Sequence, residues 1–159
     1  MIVPQVRLWI GFLAALALSI LPMPELISGF RPPWVLLFVV YIEYFLPGNF
    51  KLISLVLVGL FLDVLLSSVI GEHSFALLLV TWIASSKSRR FQFFSMIQQI
   101  CLIGFFCLLY QFCIVFIDSL LGLNYRVYMP FTSALMGMFI WPWIRILGDS
   151  SLFIRLIYR

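Results

Sequence analysis

The carboxyl group of Asp63 interrupts an otherwise apolar run, GLFLDVL at residues 59–65. The chain has only six Asp and Glu residues, so an acid inside such a run is unusual. A carboxylate at membrane depth is costly and by default marks a functional or packing site that faces protein. The functional interpretation is a proton or cation site, or a charge that recruits a partner. The pattern favours the structural interpretation, a carboxyl that hydrogen-bonds within a helical bundle and fixes helix register.

Three further acids and the single histidine also favour structural roles. Glu72 and His73 form a corner between two apolar runs, which is an ordinary turn and helix-capping arrangement, and one histidine cannot build a histidine-based metal cluster. Glu43 is expected to pair with Lys51 or with an interfacial arginine, and Asp118 is expected to be a solvated or interfacial carboxylate. The residues predicted to have structural or packing roles are Trp34, Gly59, Asp63, Gly71, Glu72 and His73.

An enzyme is the less favoured alternative. Asp63 and Asp118 would suit peptide hydrolysis if they formed an intramembrane pair sharing a proton, and an aspartic signal peptidase for lipoproteins has a similar length. Such enzymes carry Asn-rich motifs around each aspartate, whereas the neighbours here are LDV and IDS. Serine, cysteine and zinc proteases need a positioned base or a ligand set that one histidine cannot supply.

Three cysteines, Cys101, Cys107 and Cys113, lie in one apolar run at six-residue steps. Such steps rotate them to different faces of a helix at about 100° per residue, so neither a disulfide nor a metal site is expected. We therefore predict no catalytic residue, no cofactor and no metal.

Composition places the chain among membrane proteins. Of its 159 residues 64% are hydrophobic and 10% are charged, and the mean hydropathy is +1.16. Soluble domains are about 25% charged. The length allows about six spans of ~20 residues with short loops. The predicted fold is a single all-α domain over residues 1–159, a compact bundle of about six transmembrane helices.

Apolar runs predict membrane spans at about residues 8–23, 32–46, 52–69, 74–84, 93–121 and 129–147. A kink is expected at Pro142, and the tail at 150–159 suits an interfacial amphipathic helix. If both termini are cytoplasmic, eight of the ten Lys and Arg residues lie inside, as the positive-inside rule requires. The inner residues are Arg7, Lys51, Lys87, Arg89, Arg90, Arg145, Arg155 and Arg159, and the outer ones are Arg31 and Arg126.

Small residues at four-residue spacing on two of the predicted helices would let another helix approach closely. We predict that these faces receive a partner's transmembrane helix; they are formed by Gly11, Ala15 and Ser19, and by Ser133 and Gly137. The one dense basic cluster, Lys87, Arg89 and Arg90, is predicted to meet anionic lipid or filament proteins in the cytoplasm. The other basic residues are scattered at the ends of apolar runs, so nucleic-acid binding is not expected.

Several motifs between residues 31 and 90 resemble those of one protein family. They are RPPW at 31–34, GLFLD at 59–63, EHSFAL at 72–77 after an eight-residue step from Asp63 to Gly71, and the basic cluster at 87–90. In these motifs the sequence resembles the bacterial rod shape-determining protein MreD family. Length and number of spans agree along the whole chain.

The resemblance implies a non-catalytic protein of the bacterial inner membrane. Members of that family belong to the rod complex, or elongasome, bind MreC, and work with MreB, RodA and a penicillin-binding transpeptidase to direct lateral peptidoglycan synthesis. Their six-helix fold is similar to that of the substrate-binding subunit of energy-coupling-factor (ECF) vitamin transporters. A vitamin-binding transporter subunit is therefore the main alternative function.

Overall fold

A computed structural model describes residues 2–21, 32–45, 52–86, 91, 93–123 and 128–157, with side-chain surroundings for residues 10–146 of these ranges, Phe45 excepted. Within these parts the chain has six α-helices and no strand, which confirms the predicted all-α class. The helices are α1 Ile2–Ile20, α2 Trp34–Phe45, α3 Leu52–Leu66, α4 Glu72–Ser85, α5 Met96–Leu120 and α6 Met129–Ile157.

The ends of two helices differ from the sequence prediction for local reasons. Helix α5 begins at Met96 because Ser95 and Gln98 form a reciprocal cap, in which each side chain accepts from the other residue's backbone N–H. Helix α6 continues through Pro142 to Ile157. The tail from residue 150 is thus an extension of α6 rather than a separate helix.

Helix α4 occupies the centre of the packing, in contact with α2, α3 and α5. Helices α5 and α6 form the most extensive pair, and α1 packs mainly on α2. Aromatic rings join these layers: Tyr44 of α2 stacks on Phe91 at 3.7 Å between centroids, and Phe91 meets Trp141 of α6 edge-on at 5.8 Å. The core is therefore shared by helices from both halves of the chain.

The outer surface is strongly apolar. Large side chains such as Leu57, Val64, Trp82 and Phe139 are more than 60% exposed. Extensive exposed apolar surface marks contact with membrane or protein rather than water. By length and composition, α5 is the one described helix that is long and apolar enough to cross a membrane, while Ile10–Ile20, α2 and α3 are apolar but shorter. The arrangement of six spans stays a prediction.

Candidate functional site

Asp63 lies at the inner side of α3 and is 1% exposed. Its neighbours on the helix, Gly59 and Leu62, are also buried, whereas Phe61 and Val64 point outward. The acid therefore shares the buried face of an apolar helix, close to the end of that helix at Leu66.

The turn after α3 folds back over Asp63. Ser67 adopts a left-handed conformation with φ 51°, and the Ser68 N–H donates to the Asp63 carbonyl at 3.0 Å. Gly71 has φ 98°, a region that glycine enters without a Cβ penalty, and α4 begins at the next residue. These two left-handed residues reverse the chain within five positions and bring Gly71 and His73 beside the carboxyl group.

Both carboxyl oxygens of Asp63 accept hydrogen bonds from this turn. The Gly71 N–H donates to Oδ2 at 2.7 Å, and the His73 N–H donates to Oδ1 at 2.9 Å. The His73 Nδ1 lies 2.9 Å from Oδ1, and the Ser68 hydroxyl donates to the same oxygen at 3.3 Å. We assign the hydrogen of the imidazole to Nδ1 because Oδ1 is an acceptor for the other groups. Asp63 thus binds the start of α4 to the end of α3.

Gly59 allows the two helices of this hairpin to touch through their backbones. A Cβ at residue 59 would come within 2.6 Å of the Ser74 backbone nitrogen. The Ser74 hydroxyl donates to the Val56 carbonyl at 3.2 Å across the same contact. A four-residue step from Gly59 to Asp63 therefore places the close approach one turn before the hydrogen-bonded acid.

His73 extends the hairpin network towards α5. Its ring meets the ring of Tyr110 edge-on, with centroids 6.0 Å apart, and its Nδ1 also lies 3.2 Å from the Ser68 hydroxyl. Glu72, the first residue of α4, is also buried, at 3% exposed. The sequence analysis did not single out Ser68 or Tyr110; a serine in the eight-residue step after Asp63 was the available signal for the former.

Among the described residues, Asp118 makes no hydrogen bond to the Asp63 carboxyl. Asp118 is half-buried near the end of α5, and the described partners of the Asp63 carboxyl are Gly71, His73 and Ser68. A pair of aspartates sharing a proton needs both carboxyls in contact. The observed bonds favour a structural carboxyl that holds a turn.

A cleft of about 310 Å³ adjoins the hairpin. The ends of α1, α2, α3 and α6 form its wall together with the middle of α5 and His73. Two buried polar atoms, Trp34 Nε1 and Ser133 Oγ, belong to residues of this wall and have no hydrogen-bond partner within the described chain. Trp34, predicted to have a structural or packing role, thus lines an internal space.

The faces predicted for a partner helix are occupied by helices of the chain itself. A Cβ at Gly11 would lie 2.6 Å from the Phe38 ring of α2, and one at Gly137 would lie 2.5 Å from the Cys107 sulfur of α5. Ala15, Ser19 and Ser133 are buried as well. Small residues permit close approach of a helix from a partner or from the same chain, and here the approaching helices belong to the same chain.

A second polar contact, absent from the sequence analysis, joins the beginning of α5 to α6. Arg145 Nη1 donates to the Gln99 Oε1 at 2.8 Å. The Gln99 amide nitrogen donates to the carbonyls of Phe91 and Phe94, each at 3.1 Å. This fully buried glutamine thus fixes the segment before α5 against α6.

Several predicted features lie outside the described residues. They are Arg31, Lys51, Arg126, Arg159 and the basic cluster Lys87, Arg89 and Arg90. Glu43 is half-buried near the end of α2, and its predicted partner Lys51 belongs to this set. Within the described ranges, no group of three or more His, Cys, Asp or Glu side chains is placed to hold a metal ion. The three cysteines are free thiols.

Comparison with known proteins identifies one family. The family model described as rod shape-determining protein MreD matches residues 2–150, nearly the whole sequence. No solved structure matches the chain.

Proposed function

The chain belongs to the MreD family of rod shape-determining membrane proteins, and from this premise we propose that it is a non-catalytic scaffold of the rod complex. In this proposal the protein spans the bacterial inner membrane several times with both termini in the cytoplasm. It binds MreC and, together with MreB, RodA and a penicillin-binding transpeptidase, helps to direct lateral peptidoglycan synthesis. The family match over residues 2–150 is the observation on which the proposal rests.

Two features of the structure support a scaffold. The buried polar groups of the Asp63 hairpin bond to one another, so they stabilise a fixed helix pair. The outer walls of the described helices are apolar and can contact either lipid or a partner's transmembrane helix. Since the small-residue faces of α1 and α6 are filled internally, a partner is expected on the exposed walls instead.

Site-specific photocrosslinking would test partner binding directly. A photoreactive amino acid is placed at Leu13 of α1, Leu57 of α3, Phe105 of α5 or Leu135 of α6, each more than half exposed. We expect crosslinks to the transmembrane helix of an MreC-type protein from one or two neighbouring walls, because one helix covers only part of a bundle. Cells lacking the partner provide the control. The absence of crosslinks at all four positions, together with failure to co-purify, would contradict the proposal.

The cleft is the observation that favours the alternative of a vitamin-binding transporter subunit. Its volume of about 310 Å³ reaches the lower end of small-molecule pockets, which hold ~300–1,000 Å³. Tight binding of a vitamin by the purified protein, without capture of a membrane partner, would support that function in place of the scaffold.

A further inference from the structure

Two residues in the wall of the cleft beside the hairpin carry buried polar atoms without a hydrogen-bond partner in the described chain. Ser133 is 2% exposed, and both its hydroxyl and the Trp34 Nε1 are without a hydrogen-bond partner in the described chain. Native proteins pair nearly all buried polar groups, with protein, water or ligand. An indole N–H can only donate, so its partner must carry an acceptor; the serine hydroxyl can donate to the same kind of atom.

The rest of the wall defines what that acceptor is attached to. Val35, Leu66 and Ile114 supply apolar surface, and Tyr110 and Gln111 supply uncharged polar groups. Among the described wall residues no Lys, Arg, Asp or Glu occurs, and the Nδ1 of His73 is engaged by Asp63. The described wall thus offers no counter-charge to a charged group, whereas an ester carbonyl joined to an aliphatic chain matches both kinds of surface.

The position of the two atoms along the bundle axis also points to an ester joined to an aliphatic chain. Trp34 is the first residue of α2, and Ser133 lies about one turn into α6. In the proposed membrane arrangement, helix ends lie at the border between the ~30 Å hydrocarbon core and the polar interfacial region. At this level the glycerol ester groups of membrane lipids are abundant, while a water-soluble ligand would have to enter from the end of the bundle.

We propose that this cleft binds the uncharged glycerol-ester region of a membrane lipid, with Trp34 Nε1 and Ser133 Oγ donating hydrogen bonds to its ester oxygens. The apolar part of the wall holds the beginning of an acyl chain. The position of the cleft relative to the bilayer rests on the proposed function, but the ligand chemistry rests on the cleft itself.

Dioleoylglycerol is the test ligand, because it has the ester groups and acyl chains without a charged head. The full-length protein is purified in a non-ionic detergent, and one-to-one adducts are titrated by native mass spectrometry. Trp34→Phe and Ser133→Ala should each weaken the adduct about tenfold, as expected when one buried hydrogen bond is lost. Neither change removes a bond within the described chain, so both variants should fold and keep their thermal stability.

Matched substitutions separate this site from lipid on the outer walls. Trp143→Phe and Ser119→Ala make the same chemical changes at exposed positions and should leave the adduct unchanged. If all four variants form as much adduct as the wild-type protein, the proposal is overturned, because water alone would then satisfy Trp34 Nε1 and Ser133 Oγ. Equal binding of glycerol triacetate, a soluble ester, would overturn the lipid assignment. If the protein does not crosslink to a partner but still forms an adduct that Trp34→Phe and Ser133→Ala weaken, the scaffold is rejected and this site is supported.

Discussion

At Asp63, the cost of burying a carboxyl group is offset by hydrogen-bond donors from residues 68–73. Two backbone N–H groups, one imidazole and one hydroxyl converge on its oxygens. Burial of an unpaired charge is strongly unfavourable, whereas a fully hydrogen-bonded carboxyl is tolerated. These donors lie in or directly after the turn that reverses the chain through Ser67 and Gly71, so the acid and the turn stabilise each other.

Asp63→Asn tests this coupling with little change in shape. An amide supplies one acceptor oxygen, so its NH₂ group must face either the Gly71 or the His73 N–H, and one buried donor loses its partner. The free energy of unfolding should fall by about 1–3 kcal/mol, measured as a lower thermal midpoint of the purified protein in detergent. Asp118→Asn makes the same change at a half-exposed carboxyl and should shift stability by less than about 0.5 kcal/mol. Equal midpoints for the two variants would contradict a structural role for Asp63.

The burial of Asp63 could be predicted from the sequence because a lone acid in an apolar run has few tolerable surroundings. Its donors could not be predicted in detail. The position of Ser68 depends on the left-handed Ser67, and a serine rarely adopts that conformation. The cleft depends on gaps between the ends of helices that are distant in sequence, and no local pattern encodes such a gap.

Between α3 and α4, Gly59 makes a close approach of the two backbones possible. The Ser74 backbone lies directly opposite the missing side chain. At Gly11 the opposing atoms belong instead to the tip of the Phe38 ring, which can move aside. The same small residue type thus has different importance at these two contacts.

Gly59→Ala and Gly11→Ala should therefore behave differently although both add one methyl group. At Gly59 the methyl must push two backbones apart, and overpacking of this kind costs ~1–3 kcal/mol. At Gly11 the better helix propensity of alanine, worth up to ~1 kcal/mol, should balance a small shift of Phe38. We expect Gly59→Ala to lower the thermal midpoint clearly and Gly11→Ala to leave it nearly unchanged. A midpoint for Gly59→Ala at or above that of Gly11→Ala would show that the hairpin does not depend on this contact.

For the stripes of small residues, the sequence predicts a close helix contact but not which helix makes it. Four-residue spacing predicts correctly that a helix can lie close to Gly11 and Gly137, but it does not distinguish a helix of the same chain from one of a partner. The structure gives these places to α2 and α5. A partner must then use walls such as those of Leu57 or Leu135, which no spacing of small residues marks.

At the scale of the whole molecule, the apolar exterior and the distribution of basic residues both fit a protein embedded in a membrane. Wide apolar walls suit the hydrocarbon core, and eight of the ten Lys and Arg residues lie on one side in the proposed topology. Arg145 illustrates that side: it reaches Gln99 near the start of α5, at the end of the bundle away from the cleft. Arg145 and the cleft therefore lie towards opposite ends of the bundle.

Ser86 and Ser119 allow this polarity to be measured, because both are exposed. Ser86 precedes α5 and Ser119 lies in its last turn, and α5 is long and apolar enough to cross a membrane. The background chain has alanine at Cys101 and Cys113 and keeps the buried Cys107. Ser86→Cys and Ser119→Cys are introduced into it separately, and the background chain without an added cysteine is the negative control. A membrane-impermeant maleimide should label Ser119→Cys in intact spheroplasts and Ser86→Cys only after permeabilisation, since the positive-inside rule places Ser86 in the cytoplasm. Labelling after denaturation shows that both thiols are reactive. The reverse order would invert the proposed orientation, and labelling of both in intact spheroplasts would mean that α5 does not cross the membrane.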